Sequence, residues 1–330
     1  MAKTQGELQR IAERYTRFAA DEARGESAPY ERLAHAVAAS RELLRFLASL
    51  PADKRQPNLF LAAVRHLCGV PESEDRLIEI VRREHRRVRA VMLSRTTQTN
   101  EPARCSVLLP LLAQLPPPLA LLEVGASAGL CLIPDRYGYD YGAHWIEPAA
   151  SAGVAAPVFP CATRGAVPLP TRVPEIVWRA GLDLNPIDLR SAADVAWLET
   201  LVWPGQEARA ERLRAAIALA RRDLPNIVRG NLLTDLEPLI ATAPRDATLV
   251  VFHTAVLPYV RPQARRDRFA ATMRAGNAVW ISNEAPSLFP SVAEMAPPPP
   301  APGRFLLALN GKPLAWTGAH GQSIDWFGSL

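Results

Sequence analysis

The sequence predicts an α/β fold made of a helical N-terminal region, a domain of alternating strands and helices, and a C-terminal β-hairpin. Three observations predict it. Residues 119–124 form an apolar run that closes on Glu123 and Val124. The run passes into Gly125-Ala126-Ser127-Ala128-Gly129 and then into more apolar residues, the pattern of a buried strand, a glycine turn and a helix. No strand candidate precedes residue 119. Near the C-terminus, residues 304–309 and 312–317 flank Asn310-Gly311, the dipeptide favoured by a type I′ hairpin turn.

Length and composition set the frame. A chain of 330 residues with 48% hydrophobic content has room for one large globular domain and an appended smaller one. Cys68, Cys105, Cys131 and Cys161 are far apart and make no C-x-x-C pair, so neither a zinc site nor a disulfide framework is expected. The opening residues MAKTQGELQR contain no apolar leader core, and a cytoplasmic, soluble protein is expected. The net charge of +5 is almost all arginine against a background rich in alanine and proline, the mark of codon bias. Arg76, Glu79, Arg82, Arg83 and Glu84 alternate in sign as a solvated helix face does. A small-molecule partner is therefore expected, rather than nucleic acid or a membrane.

Along residues 6–115 the pattern is helical. Leu8, Ile11, Tyr15 and Phe18 recur at helical spacing, as do Leu33, Val37, Leu44 and Leu47, and then Ile78, Val81, Val88 and Met92. Pro29, Pro51, Pro57 and Pro71 punctuate the segments. A helical region over 1–115 and an α/β domain over 116–330 are the result. Just before the first strand, residues 96–101 are small and polar. They are either a solvated linker, with Asn100 capping a helix that has Pro102 in its first turn, or a hydrogen-bonding loop over a cleft that uses Gln98 and Asn100.

Beyond the glycine turn, residues 135–173 read as an insertion with short hairpins. Tyr137, Tyr139, Tyr141, His144 and Trp145 are either its local core or a pocket cover. Residues 175–183 form a second strand ending in Asp183, followed by Leu184 and Asn185, and residues 194–222 are helical. Residues 226–233 read as a third strand, ending near Asn231, and residues 248–254 as a fourth, which leads through His253 to Tyr259. A helix over 263–274 precedes a fifth strand over 278–282, with Asn283 and Glu284 at its end. Residues 297–302 are a proline-rich spacer, and residues 323–327 can add a strand after the hairpin.

Three readings compete for the glycine turn. It is a tight strand-to-helix connection, or the Gly-x-Ser-x-Gly elbow of an α/β-hydrolase with Ser127 exposed as nucleophile, or a cofactor turn. In the last reading, Glu123-Val124-Gly125-x-Ser127-x-Gly129 resembles the nucleotide-binding turn of class I S-adenosylmethionine-dependent methyltransferases, with Ser127 in place of the middle glycine. A hydrolase elbow comes after several strands of its sheet, whereas here it would come after the first, as a methyltransferase domain requires. The segment G-L-D-L-N-P at 181–186 is also similar to the methyltransferase segment whose acid meets the ribose. It lies far beyond the usual spacing of about 20 residues from the glycines, so the insertion has to loop out.

The segments QPNLFLAAVRHL, SRTTQTNEPARC, LLEVGASAGLCLIPDRYGYDY, WRAGLDLNPIDL, WLETLVWPGQEARAERLRAAIALAR and WISNE resemble a bacterial family, the domain-of-unknown-function family 2332, over most of residues 55–330. That resemblance bears on the limits of the fold and supplies no catalytic residues. The methyltransferase resemblance implies a Rossmann-like sheet and S-adenosylmethionine as cofactor, held by Glu123, Gly125, Ser127, Gly129, Asp183, Asn185 and Asn231. Under it, His253, Tyr259 and Glu284 are the candidates for catalysis on a small molecule. The other two readings are a serine hydrolase using Ser127, with His253 or His320 as base, and a non-catalytic protein that keeps the fold.

Overall fold

The computed structural model describes residues 2–148 and 155–329, so residues 149–154 of the expected insertion lie outside the described part. The chain divides into two compact units, Met1–Thr99 with Ser191–Glu211, and Asn100–Arg190 with Arg212–Leu330. This division differs from the single boundary expected at 115/116, for two packing reasons. The helix Cys105–Leu112 is buried at all eight positions and belongs to the second unit. Residues 191–211 return to the first unit because Trp197 and Leu201 share one apolar core with Tyr15, Phe18, Tyr30 and Phe60.

The first unit is helical: Ala2–Arg17, Ala28–Ala39, Arg41–Ala48, Pro57–Cys68, Glu74–Arg83, His85–Ser94 and Ala192–Thr200. Ser27, Ser40, Ser73 and Ser191 each cap a helix, accepting the N–H three residues on and so satisfying a donor that has no partner within the helix. The expected apolar faces are inward, with Ile11, Tyr15, Leu33, Val37, Val81, Val88 and Met92 all buried. Arg95 pairs with Asp194 at 2.6 Å, and Trp197 Nε1 donates to the carbonyl of Thr96 at 2.9 Å. Among the described residues no helix is long and apolar enough to cross a membrane.

The second unit is mixed α/β around a large, mostly parallel sheet. Its strands are β1 (Leu119–Val124), β2 (Gly138–Asp140), β3 (Trp145–Ile146), β4 (Val158–Pro160), β5 (Ala162–Arg164), β6 (Ile176–Asp183), β7 (Asn226–Arg229), β8 (Thr248–Thr254), β9 (Val279–Glu284), β10 (Phe305–Leu309), β11 (Lys312–Thr317) and β12 (Ser323–Trp326). The main sheet runs β5-β12-β11-β10-β9-β8-β1-β6-β7. From β9 to β7 every pairing is parallel, and β1 lies between β8 and β6. All six residues of β1 are buried, as expected of a central strand covered on both faces. Strand β10 returns antiparallel to β9 and pairs with β11 about Asn310 and Gly311, both at positive φ as a primed turn demands.

Part of the insertion does not simply loop out. Strands β3-β2-β4 make a small separate sheet, whereas β5 pairs parallel with β12 and forms one edge of the main sheet. The tyrosines are its core, since Tyr137, Tyr139 and Tyr141 are buried and Tyr137 meets the Phe159 ring edge-on. Their hydroxyls donate to the carbonyls of Leu130, Pro134 and Ser106 at 2.7, 2.5 and 2.7 Å. Trp145 is the exposed member of the aromatic group.

Candidate functional site

In open α/β sheets ligands bind outside the carboxyl ends of the strands, where the chain's direction of travel across the sheet reverses. Here that point is the end of β1. Among the five central parallel strands, those that follow β1 are β6 and β7 on one side, and then β8 and β9 on the other. Two non-glycine residues hold left-handed backbone at the ends of these neighbouring strands, Ser127 after β1 at φ 53° and Ala255 after β8 at φ 57°. Such strain collects at functional sites because the surrounding structure has to enforce it.

The turn after β1 is braced from β6. Asp183 Oδ2 accepts the Ser127 N–H at 2.8 Å, and Oδ1 accepts the Asn185 N–H at 2.7 Å. Glu123, Gly125, Ser127, Gly129, Asp183 and Asn185 are thus brought together at the ends of β1 and β6. The helix expected after Gly129 is absent. In its place stands a single 3-10 turn, Leu130–Leu132, succeeded by another at Pro134–Arg136. Pro134 restricts the residue before it, and the tyrosine hydroxyls take the Leu130 and Pro134 carbonyls that an α-helix would have used. Among the described residues, the segment after Gly129 therefore offers the turn no α-helical N-terminus.

The glycines serve the protein's own packing. A Cβ on Gly125, which sits at φ 74°, would collide with the Val256 side chain, and one on Gly129 would lie 2.9 Å from Ile227 Cδ1 and 3.1 Å from Pro225 Cβ. Val256 therefore covers the first glycine from the loop after β8, a contact that its place in the sequence did not reveal.

Polar groups gather beneath this turn. Asn100 Oδ1 accepts the Leu130 N–H at 2.9 Å, so Asn100 reaches the residue after Gly129. It does not cap a helix; Glu101 does, accepting the Ala103 N–H at 3.2 Å at the start of the 3-10 turn Pro102–Arg104. Gln98 lies in the other unit, where its Oε1 accepts the Thr96 hydroxyl at 3.3 Å. Arg104, which sequence reasoning missed, is buried and donates to the Thr254 carbonyl at 3.2 Å and to the Ala319 carbonyl at 2.9 Å.

Burial pushes the Glu123 carboxyl well above the usual carboxylate range. Cys131 adds to the rise and Arg104 opposes it. Its Oε2 has no hydrogen-bond partner among the described residues, and neither does the buried Ser127 hydroxyl. A hydrogen bond with Cys105, then burial, raises the Cys131 thiol, which makes it a poor nucleophile.

The candidates at the β8 and β9 ends separate into distinct environments. His253 is fully buried, its Nδ1 2.7 Å from Glu284 Oε1 and its Nε2 3.0 Å from Trp280 Nε1. With both ring nitrogens engaged, it is placed as a support rather than as a group open to substrate. Glu284 is buried as the last residue of β9, and Tyr259 is 69% exposed at the end of a 3-10 turn. Asn231 stands past the end of β7, which stops at Arg229. Its Oδ1 accepts the Leu233 N–H at 3.0 Å and its own N–H goes to Asp235 at 2.7 Å, so it builds a turn. Leu184, next to Asp183, is 66% exposed, an apolar surface beside the acid that periodicity could not reveal.

Residues 12–326 match the family described as an uncharacterized protein conserved in bacteria, domain-of-unknown-function family 2332. The chain belongs to this family. The match of this family member spans residues of both compact units. No curated protein and no solved structure gives a significant match.

Proposed function

We propose that the second unit is a Rossmann-like, S-adenosylmethionine-dependent methyltransferase domain acting on a small molecule. The observation that carries this reading is the bond between Asp183 and the glycine turn, at the switch point of a sheet whose parallel strands run third, second, first, fourth, fifth. That order is the doubly wound one, and an acid at the second strand's end is where such folds receive ribose hydroxyls. Asp183 braces the turn and supplies that acid. Leu184 offers an apolar face to a flat base, which suits adenine better than Asn231, whose side chain is spent on its own turn. Glu123, whose carboxyl burial pushes well above the usual carboxylate range, has in Oε2 a buried oxygen without a hydrogen-bond partner among the described residues.

When bound, the cofactor supplies an activated methyl group on a sulfonium. The protein's task is then to align a nucleophile with that methyl and to exclude water. Val256 forms part of the cover, lying over Gly125 from the loop after β8.

The hydrolase reading fits less well. Ser127 has the strained backbone of an elbow, but its hydroxyl is buried without a partner among the described residues, and a nucleophilic serine needs a base within hydrogen-bond reach. A non-catalytic protein that keeps the fold draws its support from the glycines, which the protein's own side chains pack. Calorimetry with S-adenosylmethionine and S-adenosylhomocysteine separates the readings. Binding of both at micromolar concentration is expected, and no heat at millimolar ligand would remove the methyltransferase reading.

A further inference from the structure

The inference rests on that reading and concerns the group that meets the methyl-accepting substrate. His253 lies level with Ser282 across β8 and β9, and side chains alternate along a strand, so Glu284 shares its face of the sheet. Three donors converge on Glu284 Oε1: His253 Nδ1 at 2.7 Å, the Val256 N–H at 2.9 Å and the Leu257 N–H at 3.3 Å. Behind the imidazole, Trp280 Nε1 lies 3.0 Å from His253 Nε2.

An indole nitrogen only donates, so Nε2 is the acceptor and Nδ1 carries the proton toward the carboxylate. Phe269, Trp280 and Phe289 surround the ring and hold its plane. One oxygen of this relay is left over: Glu284 Oε2 is buried and has no partner among the described residues. The carboxylate is linked to the turn after β1 through Val256, whose N–H Oε1 accepts and whose side chain packs against Gly125. A fully braced carboxylate with one unused oxygen is what a proton acceptor of fixed geometry requires.

We propose that Glu284 Oε2 receives the proton of an O–H or N–H nucleophile on the substrate, with His253 and Trp280 as positioning residues. The substrate's lone pair forms a bond to the methyl carbon, the carbon–sulfur bond breaks with its electron pair left on sulfur, and the proton passes to Oε2. The sulfonium becomes a neutral thioether as the carboxylate becomes a neutral acid, so charge and atoms balance. The substrate class is a small alcohol, phenol or amine.

The test uses the full chain and the variants Glu284→Gln, His253→Phe and His253→Asn. Nitrogen NMR of the wild type should find His253 neutral with the proton on Nδ1; a proton on Nε2 overturns the relay without reference to any ligand. Calorimetry should give S-adenosylmethionine affinities within about 2-fold across the series, since Glu284 addresses the second substrate.

Transfer of labelled methyl from S-adenosylmethionine to a panel of simple alcohols, phenols and amines should fall about 100-fold or more in Glu284→Gln. It should fall about 10-fold in kcat for His253→Phe. His253→Asn should recover most of that loss, because its amide can donate from the position of Nδ1. Where Glu284→Gln does not fold, Glu284→Asp, which keeps the charge and withdraws the oxygen, serves the same comparison. Unchanged transfer in the Glu284 variant, or cofactor binding with transfer to no member of the panel, overturns the assignment. Failure of the wild type to bind S-adenosylmethionine overturns the functional reading itself and is visible before any variant is compared.

Discussion

Asp183 Oδ2 lies 2.8 Å from the main-chain nitrogen of Ser127, so the acid that ends β6 holds the turn that ends β1. The second oxygen of the same carboxylate caps Asn185. Two backbone donors at the strand ends thus depend on one side chain, and a ligand that engages Asp183 also engages the turn.

Removing that side chain leaves the Ser127 N–H, which is buried, without its acceptor. Hydrogen bonds to a charged group contribute about 1.5–3 kcal/mol each. Urea denaturation of Asp183→Ala should show a loss of at least about 1.5 kcal/mol. Asp183→Asn, which keeps one acceptor oxygen, should lose less. Equal stability of Asp183→Ala and the wild type would mean that water replaces the carboxylate without cost.

Gly125 and Val256 should behave as a coupled pair. Gly125→Ala brings a Cβ into the valine side chain at a backbone angle that L residues avoid, and a cost of about 1–3 kcal/mol is expected. Trimming Val256 to alanine in the same chain should return part of it, with a coupling energy above about 0.5 kcal/mol in a double-mutant cycle. Purely additive losses would place the origin of the strain elsewhere.

Glu123 sets a pH dependence of unusual sign. Its folded-state affinity for a proton is raised by burial, so between the unfolded carboxyl's titration and its own the native state binds one proton more than the unfolded state. Stability unaffected by Glu123 below about pH 4.3 therefore falls as the pH rises above it, by up to about 1.4 kcal/mol per unit. Glu123→Gln removes this slope. The difference in unfolding free energy between variant and wild type, measured upward from about pH 5, should grow in favour of the variant. A flat difference would show that Arg104 keeps Glu123 ionised throughout.

Ser127→Ala should change stability by less than about 0.5 kcal/mol, because the hydroxyl has no hydrogen bond to lose among the described residues and alanine bears the same backbone strain. S-adenosylmethionine binding should survive the change, and a fluorophosphonate probe should leave Ser127 unlabelled. Labelling at this residue would restore the hydrolase reading.

Asn100 and Leu130 provide a contrast. Asn100→Ala strips the acceptor from a buried N–H and should cost about 1–3 kcal/mol in chemical denaturation. A change below about 0.5 kcal/mol would mean that this polar segment behaves as an ordinary surface linker.

Periodicity and turn chemistry were enough to locate β1, β6, β8 and the Asn310-Gly311 hairpin from the residues alone, since those signals are local: a run of β-forming residues, a glycine step, a primed turn. The same rules placed the N-terminal helical faces inward, because an apolar stripe at helical spacing has one way to be buried. Only the tertiary structure decided the contacts made across space. Whether residues 130–136 continue as a helix depended on Tyr137 and Tyr139 folding back to capture the Leu130 and Pro134 carbonyls. Whether Gly125 faces a ligand or a neighbour depended on Val256, and whether His253 is open or enclosed depended on Glu284 and Trp280 on the adjacent strand. Each outcome turns on a contact between residues separated in sequence, and a hydrogen bond or a collision exists only once the fold has brought its two partners together.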